Sequence, residues 1–476
     1  MASQSSNHTL VEFREPIEQL IRDPREFTRD VKFPPASELR IYDTSLRDGE
    51  QMCGIAYTPE TKYEICRRLS DIGVHIMDVG FPAVSADERR SLQLIMEGKR
   101  KGEIREDLDV VVMCRSTAKD IDATLEALAE IKVAPSAVTF FVFTSGSDLH
   151  MKYKIGKALL AREGKPESEW LDLPLSFYRQ ANIRMQCDAI RYARDHGVER
   201  VEFGGEDGSR GDVSYFIELF RAGLEAGATR PSWPDTVGCL TPEATRWHCS
   251  RIIAAMPKDV TLLNHFHNDY GLGAINCITS LACGWKAFTV TANGYGERAG
   301  NVPLHQVITA LRVLYGVEIP GFKYHKLWEL ARFMESVSGY PIQAHEPIIG
   351  ANVFAHESGI HTHAMLIDRR MYEAVPAELV GGQMHFIYGK HSGLAVVEAA
   401  LKKHEGKLRT AGVSVNADLA KRVLAEVKRV RQERAAAGTT ANIINEYYAG
   451  IQSLGLTEDD VLDIAEGIGG RQRAAV

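Results

Sequence analysis

No stretch of the 476 residues holds the ~18 consecutive apolar positions that a membrane helix needs, which excludes a helical membrane protein. The first twenty residues have neither an apolar core nor a small-residue cleavage site, so a cytoplasmic chain without a secretory leader is expected. None of the eight cysteines, at positions 53, 66, 114, 187, 239, 249, 277 and 283, forms a CxxC pair. They are spread through apolar segments, which argues for reduced thiols and against a disulfide framework or a structural zinc site. An excess of basic residues is also missing. Lys+Arg is 56 against Asp+Glu at 63, a net charge of −7, so nucleic acid is not the expected partner. There is no P-loop, no low-complexity tract and no repeat beyond a strand–helix unit. The glycines of 293–301 resemble a phosphate cradle only superficially; they suit close backbone approach at a pocket rim.

With 45% hydrophobic and 25% charged residues, disorder, collagen and coiled coil are excluded for the chain as a whole. Eight short apolar runs recur at 39–46, 76–82, 108–115, 137–145, 198–207, 228–238, 260–269 and 287–296. Segments with apolar residues at helical spacing lie between them and stop at glycine. Strand-like runs alternating with helices predict an α/β fold, a (β/α)8 TIM barrel, followed by a mostly helical C-terminal region. The sixth run is the weakest, because Pro231 and Pro234 sit badly in a central strand. The expected organisation is an N-terminal extension over 1–37, the barrel over 38–318, a post-barrel subdomain covering the active site over 319–405 and a helical subdomain over 406–476. Residues 150–176 form an insertion longer than an ordinary loop.

Polar residues gather where the runs end: Arg47-Asp48-Gly49-Glu50-Gln51, Asp78, Arg115, Glu202, Glu206 and Asp207, Asp235-Thr236, His265 to Asp269, then Asn293, Glu297, Arg298 and Asn301. In a barrel the C-terminal strand ends surround one pocket, so Gln51, Asp78, Arg115 and Thr236 are candidates for substrate binding. Taken singly, each reads equally well as a helix cap or a surface charge; six strands repeat the pattern. His265 and His267, at i and i+2, share one strand face. Asp48 belongs to the first strand, a near neighbour of the seventh once the ring closes. Two imidazoles and a carboxylate leave open positions on a divalent ion, with Asn301 as a fourth ligand or a supporting group. The alternative is an ordinary pair of core or surface histidines. Arg47 stays charged and suits a developing enolate or carbonyl oxygen; its alternative is a plain ion pair with Asp48. Thr236 can donate to a substrate carboxylate or cap the next helix.

Asp43-Thr-Ser-Leu-Arg-Asp-Gly-Glu-Gln51, Gly80-Phe-Pro82, Asp235-Thr-Val-Gly238, His265-Phe-His-Asn-Asp269 and Asn293-Gly-Tyr-Gly-Glu-Arg-Ala-Gly-Asn301 resemble the DRE-TIM metallolyase family. Within it the chain is similar to the isopropylmalate synthase and homocitrate synthase branch, over about residues 38–400. The resemblance implies an acyltransferase that uses one divalent ion (Mn, Mg, Zn or Co) and acetyl-CoA. The implied reaction is a Claisen condensation with a 2-oxo acid, followed by thioester hydrolysis to a 2-substituted malate. It assigns Asp48, His265 and His267 to the metal, with Asn301 in the metal-proximal motif. Arg47 would polarise the reacting oxygen, Thr236 would hold the substrate carboxylate, and Glu206 and His361 would transfer protons. A homodimer with an active site shared between subunits is implied as well.

Three departures from the family pattern bear on the substrate. Thr139 stands where the fourth strand usually offers a His, and with Phe141 and Phe143 it predicts an apolar substrate pocket. Asp78 replaces the usual Glu. Only about 70 residues follow Gly406 and they read as helical, so a leucine-responsive regulatory domain is not expected. The substrate is expected to belong to amino-acid or specialised metabolism, synthases of the phosphinomethylmalate or benzylmalate type included. The alternatives are a carbon–carbon lyase like hydroxymethylglutaryl-CoA lyase, or a non-catalytic ligand-binding relative. The long region after the barrel, with Phe354-Ala-His-Glu-Ser-Gly-Ile-His361, counts against the lyase, and retention of every metal ligand counts against the binding protein.

Overall fold

The computed structural model describes residues 14–436. They form two compact units, one of residues 24–338 and one of residues up to 23 together with those from 339 onward. In the first, eight parallel strands close into a barrel: β1 (Arg40–Asp43), β2 (Ile76–Asp78), β3 (Asp109–Arg115), β4 (Thr139–Ser145), β5 (Arg200–Glu206), β6 (Arg230–Asp235), β7 (Leu263–Phe266) and β8 (Ala287–Val290). The ring closes where β1 pairs with β8, from Arg40 opposite Ala287 to Asp43 opposite Val290. β3 shows why these runs become strands: Val110, Val111, Val112, Met113 and Cys114 are all buried, as a parallel strand covered on both faces requires. Tyr42, Ile76, Val111, Leu263 and Ala287 fill the barrel interior, with Phe141 packed against them.

The intervening helices are α1 (Pro59–Ile72), α2 (Ala86–Lys101), α3 (Ala118–Glu130), α4 (Gly156–Arg162), α5 (Leu175–Asp195), α6 (Val213–Glu225), α7 (Pro242–Ala254), α8 (Gly273–Ala282) and α9 (Leu304–Tyr315). Their starts are set by side-chain caps. Thr58, Ser85, Thr117 and Thr241 accept the backbone N–H of Thr61, Glu88, Asp120 and Ala244 at 3.1–3.3 Å. Each such cap contributes about 1 kcal/mol. Capping therefore falls to Thr241, and Thr236 is released from that alternative role.

β6 forms despite Pro231 and Pro234. Each proline removes one donor but leaves its carbonyl, and the strand keeps register with β5 and β7. Trp233, fully buried between them, packs edge-on against Phe266 and Trp285 at 6.3 and 6.2 Å. This burial outweighs the lost ladder bonds that make the run look weak in sequence. The insertion after β4 folds into one π-helical turn (His150–Lys154), α4 and a 3-10 turn at Glu167–Glu169. All eight cysteines are free thiols. Among the described residues no helix is long and apolar enough to cross a membrane.

From residue 339 onward the second unit holds, among the described residues, a two-stranded parallel sheet, β9 (Ala355–His356) with β10 (His385–Phe386), and four α-helices. These are α11 (Gly359–Ile367), α12 (Leu394–Lys403), α13 (Glu405–Thr410) and α14 (Ala417–Ala436), α10 (Leu327–Ser338) belonging to the barrel unit. Val396, Val397 and Ala420 form its small core with Phe386, Leu401 and Leu424. The helical reading of the C-terminal region holds as far as residue 436; its continuation lies outside the described residues.

Candidate active site

A cavity of about 420 Å³ opens at the C-terminal end of the barrel, in the size range of small-molecule sites. Each strand delivers its side chain by the alternation rule. β7 turns His265 inward, and two residues on His267 follows it. Asp48 arrives on the turn after β1, which the β1–β8 pairing brings round to the same sector. Among the described residues Asp48, His265 and His267 are the one group of three whose donor atoms all lie within 4.8 Å of one another. His265 Nε2 stands 3.0 Å from Asp48 Oδ2 and 3.3 Å from His267 Nε2. Thr289 Oγ1 is 3.0 Å from His265 Nδ1 and orients that ring. Burial, reinforced by neighbouring His265, lowers His267 to about 4, so both its nitrogens stay uncharged near neutrality. Burial opposes the ionisation of Asp48, but Arg47 and the hydrogen bond from His265 prevail and hold it well below the usual carboxylate range.

These residues fit a divalent ion. Two imidazoles and an ionised carboxylate converge, and Asn301 adds an amide oxygen. Asn301 is buried; its Nδ2 donates to Asp48 Oδ2 at 2.8 Å, while its Oδ1 has no partner. Gly296 makes that placement possible, since a Cβ there would overlap Asn301 Oδ1.

Arg47 lies between two carboxylates, with Nη1 3.0 Å from Asp48 and Nε 2.7 Å from Asp78. Burial works against its charge, and the two aspartates more than restore it. Its guanidinium still lines the cavity, as do Gln51, Phe141, Phe143, Glu206 and Thr236. Thr236 Oγ1 accepts the Asp207 N–H at 2.8 Å, which leaves its own proton for a ligand. Glu206 is ion-paired with Lys154 from the insertion.

Three of the residues read as substrate-binding do not line the cavity. Arg115 is largely exposed and forks onto Asp120 at 2.6 and 2.8 Å, because it ends β3 beyond the inward-facing positions. Thr139 begins β4 and binds Asp109 and Arg200 at 2.6 and 3.0 Å. It shares a strand face with Phe143 but lies four residues, about 13 Å, deeper in the barrel. Asp78 stands behind Arg47, its other oxygen holding the Gly80 N–H at 3.0 Å. His361 lies on α11 in the second unit, its ring stacked on Tyr372 at 4.2 Å. Glu202, Thr289, Glu297 and Arg298 are among the cavity residues that went unselected in sequence. All but Thr289 stand among the polar residues at the run ends, a signal that Thr289 lacks.

Asp43, fully buried at the end of β1, positions this turn. Its Oδ1 accepts the Ser45 N–H at 2.8 Å and its Oδ2 has no partner. Burial raises its carboxyl to about 7, against the hydrogen bonds from Ser45. The folded chain therefore keeps a proton that an unfolded aspartate releases near pH ~4. Stability contributed by this group is full below that pH and declines as the pH rises toward 7. Asp43→Asn cannot ionise. Its stability relative to wild type should improve between pH 4 and pH 8 by on the order of 1–3 kcal/mol, read from urea unfolding at both pH values. A difference that does not change with pH would contradict this account.

A family model described as HMGL-like matches residues 38–161 and 171–334, and a second, homocitrate synthase post-HMGL domain-like, matches 348–435. A probable 2-isopropylmalate synthase of Ignicoccus hospitalis is 38% identical, over 83% of this chain and 88% of that protein. A homocitrate synthase of Methanothermobacter thermautotrophicus is 34% identical, over 85% and 91% respectively. A putative (R)-citramalate synthase of Methanopyrus kandleri is 36% identical, over 83% and 69%. Among solved structures, hydroxymethylglutaryl-CoA lyase from Pseudomonas aeruginosa aligns with a TM-score of 0.49 at 22% identity, over 65% of this chain and 95% of that one. With its barrel matched by the one model, the region after it by the other, and synthases of three kinds above 30% identity along most of its length, the chain belongs to the HMGL-like family, in the branch of the 2-alkylmalate synthases.

Proposed function

We propose that the protein condenses acetyl-CoA with a 2-oxo acid in a Claisen-type reaction and hydrolyses the thioester, releasing CoA and a 2-substituted malate. The observation that carries this reading is the convergence of Asp48, His265 and His267 in one cavity with the clamped guanidinium of Arg47. A divalent ion at Asp48, His265, His267 and Asn301 would supply Lewis acidity toward the substrate's oxygens. Arg47 presents a fixed positive charge, and its donors stabilise negative charge that develops on oxygen as the new carbon–carbon bond forms. Thr236 donates to the carboxylate of the 2-oxo acid. Glu206, held by Lys154, takes the proton from the acetyl methyl group, whose carbon attacks the carbonyl carbon of the oxo acid. Water then adds to the thioester carbonyl, the carbon–sulfur bond breaks and CoA departs as the thiol.

His361 completes the proton relay in this reading. The protein works as a cytoplasmic homodimer whose active site is shared between subunits. The family resemblance supports both points, and sedimentation of the purified protein tests the dimer. The identity of the ion, Mn, Mg, Zn or Co, is open to the same preparation. The reaction is tested by thiol release from acetyl-CoA with a panel of 2-oxo acids. Release that depends on a 2-oxo acid is expected; release independent of it, or none, overturns the reading.

A further inference from the structure

Parallel register places Glu202 level with Phe141 on β4 and Arg230 on β6, one inward step below Gly204. Glu202 is fully buried and is among the residues lining the cavity that holds the metal-ligand group. Its Oε2 accepts from Arg230 Nε at 2.8 Å. Its Oε1 has no hydrogen-bond partner. The remaining nitrogens of Arg230 are committed to Asp109 at 3.1 Å, so this arginine is not available to neutralise a second anion there.

Above Glu202 the walls are apolar. The Phe143 ring lies 6.0 Å from Phe81 and 6.2 Å from Phe141. Phe143, Gly204 and Ser232 are register partners on adjacent strands, and Gly204 presents no side chain between the other two. A Cβ at Gly204 would overlap the Ser232 carbonyl, so this lane stays open.

From this geometry we infer that the 2-oxo acid carries a long or aromatic apolar body and a hydroxyl at its far end, and that Glu202 selects it through that hydroxyl. The inference rests on the condensation reading. A wholly apolar substituent would fill the lane but seal an unsatisfied carboxylate oxygen beneath it, which is costly. A distal carboxylate would meet Glu202 with Arg230 already engaged. Burial raises Glu202 to about 7 against the pull of Arg230, so both protonation forms occur near neutrality. A hydroxyl suits both, since it donates to the ionised form and accepts from the protonated one.

The test uses the full chain with acetyl-CoA and matched acids: phenylpyruvate against 4-hydroxyphenylpyruvate, 2-oxopentanoate against 5-hydroxy-2-oxopentanoate, and 2-oxoglutarate. Thiol release gives kcat/KM, and calorimetry without acetyl-CoA gives binding. In at least one pair the hydroxylated acid should be preferred by about tenfold or more, with 2-oxoglutarate the poorest substrate. Glu202→Leu should bring that ratio close to one, and Glu202→Gln, which still hydrogen-bonds, should restore the preference. Because Glu202→Leu strips Arg230 of a partner and can fail to fold, the wild-type ratios and binding constants carry the test without it. Equal or better use of the unhydroxylated acids in both pairs, or a preference for 2-oxoglutarate, overturns the assignment and leaves the reaction class standing. If no acid binds or releases CoA, both readings fall together.

Discussion

His265→Ala is expected to lose its divalent ion and at least ~10³-fold in CoA release while remaining folded. His265 is the central member of the triad, with Nε2 3.0 Å from Asp48 and 3.3 Å from His267. Truncating it leaves one imidazole, one carboxylate and the weak amide oxygen of Asn301, too few strong donors to retain an ion through dialysis. Chelation of the wild type should give the same loss, and Mn²⁺, Mg²⁺, Zn²⁺ or Co²⁺ should restore activity to the wild type alone. If the two histidines were merely a packed pair, His265→Ala would shift the melting temperature and leave metal content and rate unchanged. Metal analysis, circular dichroism and initial rates on one preparation separate the two. Full turnover in a preparation shown to be free of metal would remove the ion from the reaction.

Arg47→Lys probes the chemical step. Lysine keeps the charge but has neither the planar fork that spans Asp48 and Asp78 nor its reach into the cavity. The variant should fold, keep its metal and bind the 2-oxo acid with similar affinity. Its kcat should fall by roughly 10²–10³, the usual cost of losing one preorganised donor to a developing oxyanion. If Arg47 served only the ion pair, metal content or melting temperature would drop and turnover per loaded site would stay near normal. A fully loaded variant with wild-type kcat would exclude Arg47 from catalysis.

The eight strands were legible because burying both faces of a parallel strand demands runs such as Val110-Val111-Val112, and because caps and glycines punctuate the helices between them. His265 and His267 were legible for a related reason: a spacing of two on a strand determines a shared face without any knowledge of the fold. Asp48 needed one further step, closure of the ring, which the count of eight strands supplied.

Depth was not legible. Alternation identifies a face but not a height along the barrel axis, so Thr139 and Phe143 look equivalent in sequence, although only Phe143 reaches the cavity. Nor does sequence tell a residue that faces a ligand from one that stands behind it, as Asp78 does with both oxygens engaged. Lys154 comes from an insertion without periodicity, and only the folded chain sets it against Glu206. By itself, then, the sequence determined the barrel and brought together the candidate metal ligands, because short-range periodicity and chain order suffice for both. The tertiary structure alone decided which oxygen of Glu202 is left without a partner, because that depends on where Arg230 and Asp109, from two other strands, meet in the interior.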